Sequence, residues 1–151
     1  MLDNLSEISD VLQDKGYTVC DTDGDVLKVN ILDAGPSALL IIEDGINGKE
    51  LRISYQVLTL GQLLESPEFA IALLDMNSSI LPFSFASVSV DPGDEVDIES
   101  SPVMLMDSIP IGNMCEEELL HSIQSLLIAY EKSAPLLRLI NGAIIESSVI
   151  A

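Results

Sequence analysis

The chain has 151 residues, enough for one compact domain, and 48% of them are hydrophobic, which sets it apart from intrinsically disordered chains of similar charge. Its 25 acidic and 6 basic residues give a formal net charge of -19, a field that repels nucleic acid phosphates and anionic lipid headgroups and argues against both as partners. The imbalance peaks in the middle: residues 61 to 112 hold nine acids and no base, and no Lys or Arg stands between Arg52 and Lys132.

In chain order, Leu2, Leu5, Ile8 and Leu12 recur at helical spacing. Asp3 or Asn4 can cap this helix, Glu7 suits its first turn, and Gly16 stands where a terminating glycine would. Tyr17 to Cys20 and Val26 to Leu32 read as strands around an Asp-Gly turn. After the break at Ala34 to Ser37, Ala38 to Ile42 is a buried-looking strand. Asp44-Gly45 and Asn47-Gly48 turn the chain, and Leu51, Ile53, Tyr55 and Val57 alternate with polar residues as a half-buried strand does.

Ser66-Pro67-Glu68 opens a second helix, with Phe69, Ala72, Leu73 and Met76 on one face and Pro82 as its stop. Phe83, Phe85, Val88 and Val90 approach a two-residue period, and Asp91 to Asp94 turn the chain. Val96, Ile98 and then Val103 to Met106 are further strand material, interrupted at Ser100-Ser101-Pro102. Asn113 with Glu116 has the spacing of a capping box. Glu116, Glu117 and Glu118 suit a helix start. The stripe Leu119, Leu120, Ile123, Leu126, Leu127 and Tyr130 predicts the main helix, with Pro135 bending or ending it. The reading is an α+β domain over residues 1-140, an antiparallel sheet with packed helices in the order helix-strands-helix-strands-helix, followed by an apolar C-terminal tail over 141-151.

No residue set makes a convincing chemical site. Asp21, Asp23 and Asp25 suggest a calcium loop, but Gly24 falls fourth rather than sixth and Leu32 stands at the twelfth position, so a solvated turn is expected. Asp91, Asp94, Glu95, Asp97 and Glu99 form the densest acid cluster; it reads as a solvated face, with a docking patch for a basic segment as the alternative. His121 is the sole histidine and is expected to pair with Glu117 on a helix surface; without a positioned nucleophile it is not a general base. Cys20 and Cys115 match no metal spacing and are expected to be small, buried or idle thiols, reduced in a cytoplasm. The opening residues lack a leader's apolar stretch, and no run approaches the ~20 apolar residues of a membrane helix. No catalytic, cofactor or metal residue is assigned and no cofactor is expected.

The stretch Leu73-Leu74-Asp75-Met76-Asn77, followed by Leu81-Pro82-Phe83-Ser84-Phe85-Ala86, together with the helix start Glu116-Glu117-Glu118-Leu119-Leu120, resembles the small acidic bacterial proteins of the type III secretion chaperone-like (Tir-chaperone-like) fold, many of unknown function. The resemblance covers most of residues 1 to 138 and is one of topology. It implies a homodimer of α+β protomers that binds another protein. The sequence-based expectation is therefore a cytoplasmic, non-catalytic, chaperone-like module with a protein or peptide partner. The alternatives are a regulatory adaptor for one defined partner in stress or envelope signalling, an enzyme of unrecognised type, and an acidic mimic of nucleic acid.

Overall fold

A computed structural model describes residues 2–22, 25–31, 37–46, 48–64, 66–87 and 100–150, with the side chains of 21, 22 and 143–150 outside the description. The elements are α1 (Leu5–Asp14), β1 (Thr18–Thr22), β2 (Val26–Asn30), β3 (Ala38–Gly45), β4 (Gly48–Thr59), α2 (Gly61–Leu64), α3 (Pro67–Met76), a 3-10 turn (Asn77–Ser79), β5 (Ser84–Ser87), β6 (Pro102–Pro110) and α4 (Glu116–Ile150). The strands form one sheet in the order β1-β2-β3-β4-β6-β5. The expected α+β class and the alternation of helix and strand groups are what the chain adopts. Its residues fall into two compact units, Met1–Tyr55 with Met106–Leu127, and Gln56–Leu105 with Ile128–Ala151; β4, β6 and α4 contribute to both.

In the first unit, α1 begins where the sequence places it. The Asn4 Oδ1 accepts the Glu7 amide at 2.9 Å, the Asn4 Nδ2 donates to Glu7 Oε1 at 3.0 Å, and the Asp3 amide donates to Glu7 Oε2 at 3.4 Å. Reciprocal capping of this kind satisfies amides that the helix itself cannot. Gly16, at φ +94°, ends the helix in a conformation other residues avoid. Ile8, Val11 and Leu12 are buried, on the side that meets β1, β2 and β3. Asn4→Ala should cost about 1 kcal/mol, the usual worth of a cap, read as a lower urea midpoint with an unchanged slope.

Antiparallel register then sorts the strands by face. Leu27 pairs Leu40 and Val29 pairs Ala38 between β2 and β3, while Leu40 pairs Ile53 and Ile42 pairs Leu51 between β3 and β4; of these, all but Ile42 are buried. The alternate row carries the ion pair Arg52–Glu43, while Lys49–Asp44 continues the first row to its exposed end. Gly45 and Gly48 pair at the end of this hairpin, and Gly48 sits at φ +123°. Asp44 and Gly45, expected as turn residues, instead complete β3. Pro102, expected as a break, is the first residue of β6 and Pro110 its last, strand ends where a missing amide does least harm. The strand expectations at Val88, Val90, Val96 and Ile98 lie outside the described residues.

In the second unit, Leu58, Leu63, Leu73, Val103, Leu137 and Ile140 form a buried cluster, with Phe69, Ala70, Phe85 and Tyr130 packed against it. The chain segment that carried the family resemblance closes this unit. After α3 the 3-10 turn places Asn77, whose Oδ1 accepts the Phe85 amide at 2.7 Å, and Phe83 between them is fully buried. Thr59 donates its amide to Gln62 Oε1 at 2.8 Å, and Gln62 Nε2 donates to Asn141 Oδ1 at 2.7 Å, which fixes the short α2.

Two expectations about α4 are corrected. Asn113 is not its cap: the helix begins at Glu116, and the Cys115 carbonyl accepts the first helical bond from the Leu119 amide at 3.2 Å. Nor does the helix end at Pro135 or Ile140; it runs on to Ile150, so residues 141 to 150 continue a helix. The buried stripe Leu119, Ser122, Ile123, Leu126, Ala129, Ser133, Leu137 and Ile140 keeps helical spacing on both sides of the proline. Burial of Leu137 and Ile140 holds the last turns to the helical path despite the lost hydrogen bond.

Candidate functional site

The second unit carries a pocket of about 190 Å³. Leu60 lines it from just before α2 and Leu63 from α2 itself, Ala70, Leu73 and Leu74 from α3, Phe85 to Ser87 from β5, and Val103 from β6. Leu63, Leu73 and Val103 belong to the buried cluster, so the pocket is floored by packed core. Each wall has a local cause. Ser66 and Pro67 set the start of α3, and the Asn77–Phe85 hydrogen bond delivers Phe85 and its neighbours. The Leu60 amide donates to the Ser101 carbonyl at 2.7 Å, which ties Leu60 to the strand that presents Val103.

At the mouth the apolar surface continues outward. Leu74 is 69% exposed and Ile71 66%, and Leu64 and Leu81 in the same unit are also largely exposed. Residues three apart are neighbours on a helix surface, so Ile71 and Leu74 form one shelf on α3. At 100° per residue, Glu68 and Asp75 follow on the far side of that shelf, both exposed. Large apolar side chains contiguous with a pocket mark a surface for another molecule more than a stray exposed Leu does. Among the described residues, Ser87 supplies the one polar side chain of the pocket lining, and no carboxylate, imidazole or thiol lines it.

The residues singled out from sequence are not brought together here. Cys20 and Cys115 are free and exposed, which corrects the buried alternative of the expectation; Cys20 lies in the middle of β1 and Cys115 just before α4. His121 and Glu117 are exposed one turn apart on α4, while the ion pairs among the described residues are those of Arg52 and Lys49. Asp25 is exposed; the side chains of Asp21 and Asp23 and the cluster at 91 to 99 lie outside the described residues. Among the described residues no group of three or more His, Cys, Asp or Glu could hold a metal ion. Of the stripe on α4, Leu119, Ile123 and Leu126 are core and Leu120, Leu127 and Tyr130 half-buried, while Ile128, outside the stripe, is exposed. A second, wider cleft in the first unit, lined by Asp3, Asn4, Ser6, Asp25 and Lys49 among others, is open and of mixed charge, and its helix-terminal amides are engaged by Asn4 and Glu7.

Asp107 departs from the ordinary behaviour of a carboxyl. Burial pushes the Asp107 carboxyl upward, and the hydrogen bond it accepts from the Ser108 amide at 2.9 Å opposes that only in part. A carboxyl raised in the folded state holds its proton where the unfolded chain has lost it, so stability falls as pH climbs through the window above about pH 4. Asp107→Asn should therefore raise the melting temperature at pH 7, by more than removal of an exposed acid such as Asp14 does, and the gain should vanish below about pH 3.

Sequence reasoning missed the pocket. The one signal for it is the run Phe69 to Leu74, six consecutive apolar residues on a helix; a helix apolar all round is either buried or an interface.

No protein-family model matches the chain, and no curated protein matches it by sequence. Among solved structures, YbjN of E. coli, described as a candidate transcription regulator, superposes with a TM-score of 0.58 at 14% identity, over 95% of this chain and 95% of that one. At that identity the likeness establishes a shared fold. Among the described residues no helix is long and apolar enough to cross a membrane.

Proposed function

We propose that the protein is a non-catalytic, chaperone-like binding module that recognises another polypeptide through the pocket and shelf of its second unit. The observation that carries this reading is the continuity of the buried cluster, the apolar pocket and the exposed Ile71 and Leu74, with no reactive side chain among the described residues that line the pocket. The fold shared with YbjN supports it, and that protein's description favours, as a second reading, a regulatory adaptor with one defined partner. The acidic shell supports a bacterial cytoplasmic protein that avoids nucleic acid and membranes, and the family resemblance supports a homodimer formed through some other surface.

Leu74→Asp tests the reading. Its side chain is mostly in solvent, so the change should alter stability by no more than about 0.5 kcal/mol. At the centre of an interface it should weaken partner binding at least ~10-fold, as loss of an anchor does. Proteins recovered with the tagged wild type should be missing from the variant at equal melting temperature; an identical recovered set would remove the proposal.

A further inference from the structure

We infer that the pocket receives one aliphatic or aromatic side chain of a lysine- or arginine-rich segment of the partner; this rests on the recognition reading above and names the chemistry of its ligand. Size supplies the first argument. Sites for small molecules generally exceed about 300 Å³, whereas an apolar cavity of roughly 150 Å³ takes a single benzene ring. At about 190 Å³ the pocket fits one large side chain, with Ile71 and Leu74 left to cover the chain on either side of it.

Charge supplies the second argument. Every described residue that lines the pocket lies in the stretch between Arg52 and Lys132 that holds no base. Glu68 and Asp75 flank the shelf, and both ion pairs among the described residues use bases of the first unit, Lys49 and Arg52. The cations of the second unit are Lys132 and Arg138. Lys132 Nζ donates to the Ser79 carbonyl at 3.3 Å and Arg138 Nε to the Ala134 carbonyl at 3.3 Å. The acids beside the pocket thus have no internal counter-charge among the described residues. A segment with Lys or Arg a few positions from its anchor supplies one, whereas a second copy of this chain brings another -19 and repels.

The test selects random 12-residue peptides displayed on phage against the full-length protein, then measures the synthetic winners by fluorescence polarisation. Ala70→Trp, which fills the pocket, and Leu74→Asp serve as independent variants. The expected winners carry one Leu, Ile, Met or Phe with Lys or Arg within about three positions, and both variants weaken them at least ~10-fold. Raising salt from about 0.05 M to about 0.5 M should weaken the same peptides by a similar factor. Winners that depend on the pocket but are neutral or acidic overturn the cationic assignment and leave the recognition reading standing. Winners indifferent to both variants overturn both. Sedimentation that shows a wild-type dimer converted to monomer by Ala70→Trp would make a second copy the occupant and likewise overturn the assignment.

Discussion

Phe83→Ala is expected to lower the unfolding free energy by about 3–5 kcal/mol, the range for emptying a buried aromatic site. Phe83 is 0% exposed and the largest fully buried side chain among the described residues. Its amide also donates to the Ile80 carbonyl at 3.0 Å, so it is held at both backbone and side chain. Truncation leaves a cavity beneath the segment that leads from the 3-10 turn into β5, the segment that sets Phe85 against the pocket. Single domains hold roughly 5–15 kcal/mol in total, so the variant should unfold at a much lower denaturant concentration. Phe83→Leu, which keeps most of the volume, should cost far less. A small loss from Phe83→Ala would mean that Phe83 is not a packed residue and that the second unit is looser than described.

Pro135→Ala is expected to act in the opposite direction, stabilising the protein by up to about 3 kcal/mol, the cost of proline within a helix relative to alanine. Pro135 is exposed and stands inside α4, so the substitution removes no buried contact. It restores an amide that can bond to the carbonyl four residues back and relieves the ring's crowding against it. Pro135→Gly should gain less, because glycine is itself a poor helix former by about 1 kcal/mol. Melting of the three proteins should rank Ala above Gly above the parent. A parent at or above the alanine variant would mean that the helix breaks at the proline, one of the two outcomes the sequence suggests.

Much of the fold was legible because local and long-range signals agreed. Asn4 with Glu7, the alternation from Leu51 to Val57, and Ser66-Pro67-Glu68 each encode an element that tertiary packing then keeps. The sequence misled where packing outweighed a local rule. Pro135 carries a strong stop signal, but Leu137 and Ile140 beyond it are buried and hold the helix. Asn113 has the spacing of a capping residue, yet the helix waits until Glu116. Asp44-Gly45 has turn chemistry, but its cross-strand partners Lys49 and Gly48 keep it in the ladder.

The candidate site was less legible than the fold. Leu60, Leu63, Phe85 and Val103 are ordinary core residues in any linear reading, and only their convergence makes a pocket. The excess of apolar residues on α3 hinted at a second face, but periodicity does not tell a buried second face from an exposed one. The reverse held for charge: the acid runs drew attention in the sequence, whereas the acids beside the apolar surface are the scattered Glu68 and Asp75.

The most direct measurement is photo-crosslinking from position 74 in living cells, with a photoreactive amino acid in place of Leu74 and adducts mapped by mass spectrometry. The account predicts adducts to one or a few discrete polypeptides, lost when Ala70→Trp fills the pocket and absent when the same label replaces exposed Asp14. Adducts that persist with the pocket filled, or that match those from position 14, would contradict it.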